Sequence, residues 1–217
     1  MVMEAAVAAA GAMVYVNTVV LVQARLGLGE EAVALAFAGF GAGSMPAALV
    51  LPRILTQHED RPVMIGGAGM MVVGVALVPM VGNLTTLIML WMGIGFGFSL
   101  TQTPIGRIIN RSVREADRGA VFAAQFALSH ACWLVTYPLA GWIGAGAGLS
   151  TAALVLAAIG ALSLVAVLRL WPAHDPLVLP HEHPDLPQDH PHLRDHGTKH
   201  GHVLVIDDLH RTWPKPA

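Results

Sequence analysis

Three pairs of histidines, His181-Glu182-His183, His190-Pro191-His192 and His200-Gly201-His202, repeat the spacing i, i+2 near the end of the chain. In an extended segment such residues point to the same side, so each pair presents two imidazoles to one ion. His196 and the carboxylates of Asp185 and Asp189 lie among them. Neutral imidazole suits zinc, copper, nickel and cobalt. His181, His183, His190, His192, His196, His200 and His202 are therefore candidate ligands for a divalent transition metal. No Cys-x-x-Cys or His-Glu-x-x-His element defines a fixed centre. No nucleophile, base and orienting group occur together, so an enzyme is not expected. No cofactor is required; a metal in this region would be substrate or regulator.

A second set of polar groups sits in very apolar surroundings. Gln125, Ser129, Cys132 and Thr136 follow i, i+4, i+7 and i+11, one helical stripe, with His130 and Trp133 beside them. Ser99, Thr101, Gln102 and Thr103 precede Pro104, and Tyr15, Asn17 and Thr18 share an earlier apolar run. Tyr15, Asn17, Thr101, Gln102, Gln125, Ser129 and His130 are the candidates to line a solute path. Hydrogen bonding between helices, with no ligand, accounts for such a set equally well.

The elements that carry these groups are set by where charge is missing. Pro62 to Gly106 and Gly119 to Leu168 contain no Asp, Glu, Lys or Arg. A bilayer core about 30 Å thick takes roughly 20 apolar residues per helix, so each run holds two crossings. Val81-Gly82-Asn83 and Gly144 to Ser150 supply the turns. Ala5 to Ala24 and Ala32 to Pro52 add one crossing each, for a total of six. Composition agrees: 55% of residues are hydrophobic and 12% charged, against about 25% charged in a soluble domain, and the mean hydropathy is +0.62. A net charge of -2 provides no basic stripe for nucleic acid.

Arginines fix an orientation. Arg53, Arg61, Arg107, Arg111, Arg114, Arg118 and Arg169 fall on one side of the six spans and Arg25 on the other. The positive-inside rule makes the first group cytoplasmic, with both termini, in a multi-pass protein of the cell (inner) membrane. Composition changes after Trp171-Pro172: nine of the eleven histidines lie from His174 onward. The chain is thus read as an all-helical membrane unit, residues 1–172, and a cytoplasmic His-rich tail, residues 173–217. With no apolar periodicity before Val203, the tail is expected to be mostly disordered.

Six spans with arginine-rich second and fourth connections resemble the C-terminal half of a major facilitator superfamily transporter. The connection Leu51 to Pro62 keeps Arg53, Asp60 and Arg61 of that family's loop motif but lacks its glycines. Arg114-Glu115-Ala116-Asp117-Arg118-Gly119 resembles the end of the family's fourth cytoplasmic loop, and Tyr137-Pro138-Leu139-Ala140-Gly141 fits the fifth span. The resemblance implies gating roles for Arg53, Asp60, Arg61, Arg114 and Arg118. The tail resembles the histidine-rich ends of facilitator-type exporters linked to nickel resistance.

This resemblance implies a half of the fold, an integral membrane six-helix bundle in a lipid bilayer. Its partner would be a second six-helix half: a separate chain, a missing N-terminal half or a second copy. The expected function is proton-coupled efflux of a divalent metal such as nickel. Alternatives are an exporter of drugs or other small solutes, a membrane-anchored metal-binding module, or a fragment without transport of its own. Coupling in such exporters uses a membrane carboxylate, and none is expected within the six spans, which leaves His130, Cys132 and Tyr15 as ionisable groups.

Overall fold

The computed structural model describes residues 2–173, 178–182, 186–187, 189–194, 197–203, 205–207 and 209–210. Helices α1 (Val2–Val20), α2 (Glu30–Gln57), α3 (Asp60–Ala76), α4 (Leu84–Gln102), α6 (Arg118–Ala147) and α7 (Leu149–Leu170) form the bundle. A short helix α5 (Pro104–Ser112) extends α4 at the arginine-rich end. Five segments are each long and apolar enough to cross a bilayer: Val2–Arg25, Glu30–Gln57, Leu84–Ser112, Glu115–Ala147 and Leu149–Leu170. The sixth, α3, has 17 residues and is prolonged by the 3-10 turn Val78–Met80. The all-helical, multi-pass architecture expected from the charge-free runs is present.

Several boundaries differ from those read off the sequence. Span 1 ends in a π-helical turn, Leu21–Arg25, and α2 passes through Pro46 and Pro52 to reach Gln57. In membrane helices the carbonyls freed by proline are re-satisfied by neighbours and local adjustment, so a proline is a weaker stop than in water. The turn before α7 contracts to Gly148, whose φ of 87° only glycine takes without strain. The connection after α4 is helical, which places Arg107 and Arg111 one turn apart on a single face of α5.

Packing follows an internal symmetry. Helix α4 packs chiefly on α2 and α3, and α1 on α6 and α7, while α3 touches α7. Exchanging α1 with α4, α2 with α6 and α3 with α7 maps these three sets of contacts onto one another, as two three-helix repeats would, although α6 also packs on α7 where α2 and α3 barely touch. Close approach depends on glycine at two seams. A Cβ on Gly95 of α4 would overlap the Phe40 carbonyl of α2, and one on Gly67 of α3 would lie 2.6 Å from the Gly97 carbonyl of α4. Backbones that touch in this way gain the dispersion that replaces the hydrophobic drive absent in lipid.

Buried hydroxyls and amides join the same helices. The fully buried Trp91 donates from Nε1 to Thr18 Oγ1 at 2.9 Å, Thr136 Oγ1 donates to the Ala8 carbonyl at 3.2 Å, and Ser163 Oγ to that of Val2 at 2.5 Å. Beyond Trp171 regular structure is sparse: strands β1 (Val178–Glu182) and β2 (Lys199–Val203) pair antiparallel, and α8 (Pro191–Arg194) makes one turn between them. Ile206 forms a parallel bridge with Val113, just after α5, its N–H donating to the Ser112 carbonyl at 3.1 Å.

Candidate functional site

Glu4, in the first turn of α1, is 3% exposed. Its two carboxylate oxygens accept from different helices: Gln102 Nε2 of α4 donates to Oε2 at 3.2 Å, and Gln125 Nε2 of α6 donates to Oε1 at 3.0 Å. The expectation that no carboxylate lies inside the bundle is therefore overturned. Glu4 stands at the end of a charge-free run, where a carboxylate reads as interfacial. The convergence of α4 and α6 on the first turn of α1 encloses it instead.

Three cavities share residues around this carboxylate. The first, about 510 Å³, lies at the arginine-rich end and is lined by Glu4, Gln125, Ile108, Arg111, Ser112 and Trp171 among others. A second, about 540 Å³, is lined by Glu4, Gln102, Gln125 and Ser129 with Phe122 and Phe126. The third, about 490 Å³, contains Gln102 and Ser129 again, with Tyr15, His130, Trp133 and Tyr137. Shared residues string the three along α1, α4 and α6. From Glu4 to Tyr15 is three helical turns of α1, roughly 16 Å at 1.5 Å per residue.

Aromatic rings frame the far end of this string. Tyr15 lies 5.9 Å from Trp133 and 5.6 Å from Phe40, and Trp133 meets Tyr137 edge-on at 5.2 Å between ring centres. Gly11 makes room for Trp133, since a Cβ there would overlap the indole. His130 stacks on Phe126 at 3.8 Å and its Nδ1–H donates to the Phe126 carbonyl at 2.8 Å. That bond fixes the ring and leaves Nε2 as its second polar atom.

Of the seven residues expected to line a path, the structure brings Tyr15, Gln102, Gln125, Ser129 and His130 to these cavities. Asn17 and Thr101 are buried elsewhere. Asn17 Nδ2 lies 3.4 Å from the Ala140 carbonyl of α6, and Thr101 Oγ1 donates to the Gly97 carbonyl at 2.9 Å and lies 3.3 Å from that of Met64. Both act as ties between helices. The polar stripe of α6 divides in the same way, with Gln125 and Ser129 toward the cavities and Thr136 against α1. Glu4, Phe98, Arg111 and Tyr137 were missed. A helical projection of α1 puts Glu4 on the same face as Gly11 and Tyr15, at i, i+7 and i+11, but does not register its burial.

The arginine-rich end is organised by Asp60, whose side chain is fully buried at the start of α3. Arg107 Nη2 approaches Oδ1 at 2.6 Å and Arg111 Nη1 approaches Oδ2 at 3.0 Å. Arg107 also donates to the Leu55 carbonyl of α2 at 3.0 Å. Arg61 donates from Nε to the Trp171 carbonyl at 3.0 Å, beyond the end of α7. Among the residues expected to gate, Asp60 and Arg61 thus join helices. Arg53 is exposed, Arg114 pairs with Asp117 at 3.0 Å, and Arg118 donates to the Asn110 carbonyl at 3.3 Å.

In the tail, His183 and His196 lie outside the described residues, and of His181 and His202 only the strand backbone is described. His190, His192 and His200 are placed. Among the described residues no three His, Cys, Asp or Glu side chains form a ready metal centre. His210, which lies beyond the three pairs, is buried and its Nδ1 lies 2.9 Å from Asp207 Oδ1. Desolvation pushes the Asp207 carboxyl up, but hydrogen bonds from the His210 backbone and side chain and the Leu209 N–H outweigh it and hold the group below its ordinary value.

No individual curated protein matches the chain. The sequence profile of the Major Facilitator Superfamily does, over residues 3–204, which takes in every helix of the bundle and all three cavities. By that match over most of its length the chain belongs to the major facilitator superfamily, as an integral multi-pass membrane transporter.

Proposed function

We propose that the chain forms one half of a secondary carrier exporting a small solute in exchange for protons, with a divalent transition metal such as nickel as the favoured cargo. The observation that carries this reading is Glu4, a carboxylate held by two glutamine amides where two of the cavities meet. An ionisable group inside a membrane bundle is costly unless it does something, and here it faces space that solute and water can fill. Ionised, Glu4 accepts from Gln102 and Gln125 and attracts a cation. Once protonated it loses that attraction, and its O–H donates to an amide oxygen after either glutamine flips. Cation and proton then compete for one group, which is what exchange requires.

The arginine bias supports cytoplasmic termini in the inner membrane, so that Glu4 would face cargo arriving from the cytoplasm and the tail would collect it there. Tyr15, Gln102, Gln125, Ser129 and His130 would line the route. The Asp60 cluster, with Arg61, the exposed Arg53 and Arg114, and the half-buried Arg118, would set which end is closed. The aromatic cavity formed by Tyr15, Phe98, Trp133 and Tyr137 favours a second reading, an organic cation held over ring faces.

Both are tested in vesicles containing the full chain with its partner half, under an imposed pH gradient. Glu4→Gln should abolish gradient-driven movement and also weaken cation exchange at equal pH, because one carboxylate serves both cation and proton. Gradient-driven flux in the variant equal to that of the unaltered protein would sink the coupling role. Comparing nickel with an aromatic ammonium ion in the same vesicles decides between the cargoes.

A further inference from the structure

The tail pairings differ from the i, i+2 pairs legible in the sequence. His200, on β2, and His192, on α8, place their Nε2 atoms 3.0 Å apart. Their ring centres are 4.8 Å apart, and the ring of His210 lies 5.3 Å from that of His192. Three imidazoles from three segments thus meet around His192.

Two of the three have Nδ1 anchored in the way metal ligands do. His200 Nδ1 lies 2.8 Å from the Gly197 carbonyl, so Nδ1 carries the proton and neutral Nε2 presents its lone pair. His210 Nδ1 is held in the same way by Asp207 Oδ1 at 2.9 Å. Ligating histidines are characteristically anchored through the other nitrogen to a carbonyl or carboxylate, which fixes tautomer and ring direction. The supports are local. Gly197 takes φ 71° and its N–H donates to the Leu193 carbonyl at 2.8 Å, closing the turn between α8 and β2. Leu193 is 4% exposed.

We propose that His192 and His200 form a chelating pair for one divalent transition-metal ion of the zinc, nickel, cobalt or copper class, and that His210 turns in as third ligand. A bond length of about 2.0–2.1 Å to each nitrogen, at angles between square and tetrahedral, sets two ligand nitrogens roughly 3 Å apart, the spacing the pair already has. At present one proton lies between the two Nε2 atoms. The metal replaces it, and that proton leaves to water or is taken up again at His192 Nδ1, so that both Nε2 lone pairs bind the ion. Imidazole donors without thiolate exclude a soft monovalent preference.

The site gives the proposed metal cargo a defined holding point, and it rests on that reading for its biological meaning. Its position adds a consequence. Asp207 and His210 follow Ile206, which is bridged to Val113, and Ser112 lines the cavity that contains Glu4. Closing the three-histidine centre tightens the segment laid across that end of the bundle.

The test uses the full chain in detergent and needs no flux, so failure of the site and failure of the transport reading are distinguished. Cobalt is titrated and its visible absorption recorded, with zinc as competitor. One tight equivalent is expected. His192→Ala and His200→Ala should each weaken it roughly ten-fold or more, His210→Ala by less, and Asp207→Asn by no more than His210→Ala, since it acts through that ring. His181→Ala and His202→Ala should shift it less than about two-fold, and helical circular dichroism controls for folding. Equal losses for all five histidine variants would overturn the proposal, since the tail would then be an unspecific chelator. In the unaltered chain, hydrogen exchange at Ile206 should slow when zinc binds; no change would sever the site from the docked segment.

Discussion

Glu4 shows how burial alone changes the meaning of a residue. In the sequence it flanks an apolar run; in the fold it is the shared wall of two cavities and the acceptor for two amides. Nothing in one-dimensional patterning registers that α4 and α6 close over the first turn of α1. The aromatic end was partly legible, because Trp133 stands beside the polar stripe of α6, but its dependence on Gly11 was not. Gly11→Leu is expected to displace the indole and fill the third cavity while the helices still assemble. Solute affinity should fall by ten-fold or more with little change in melting, and unchanged affinity would show that Trp133 does not contact solute. In the core, Thr18→Val should strip Trp91 Nε1 of its acceptor at no change in volume. An unpaired buried donor costs about 1–3 kcal/mol, to be read as a lowered thermal midpoint in detergent.

At the scale of elements, existence was easier to read than connection. Four charge-free runs, two of them long enough for two crossings each, leave little choice but six helices, because every backbone group in hydrocarbon must be paired within its own segment. Connections follow rules that side-chain pattern does not carry. The loop expected between Gly106 and Gly119 instead begins as helix α5, and that turns Arg107 and Arg111 into a two-pronged clamp on Asp60. The clamp predicts an asymmetry. Asp60→Asn leaves two guanidiniums that reach water, with side chains 44% and 23% exposed. The loss should stay near the low end of the 3–5 kcal/mol typical of broken buried pairs. Removing both arginines leaves a fully buried carboxylate with no compensating charge, and the double Arg107→Ala, Arg111→Ala variant should be the less stable. Thermal midpoints in the reverse order would show that Asp60 is not the group that needs its partners. The glycine seams belong to this scale too: Gly95→Leu should prevent α2 and α4 from docking and reduce folded yield.

For the whole molecule, the distribution of burial argues for a covering partner. Of the most apolar stretch of α1, 72% of the residues are buried, but of α6 only 6%. Large apolar side chains such as Leu134, Val135 and Trp142 lie open on α6, which is acceptable against lipid. The same helix, however, also carries Gln125, Ser129, His130 and Tyr137 along the cavity string, and Tyr15 of α1 is 40% exposed there. Lipid chains cannot hydrogen-bond these groups, so under the proposed half-carrier that face would be covered by protein or open onto water between two halves. A second six-helix unit, a further copy or a separate half, meets that need. With Cys132→Ser removing the one native thiol, Ser129→Cys should react in membranes with a charged, water-soluble thiol reagent, and Leu134→Cys should not. The native assembly should also run larger than a single chain. If Ser129→Cys proves inert while Leu134→Cys labels, the water-filled face is on the other side of α6, and the partner must be sought there.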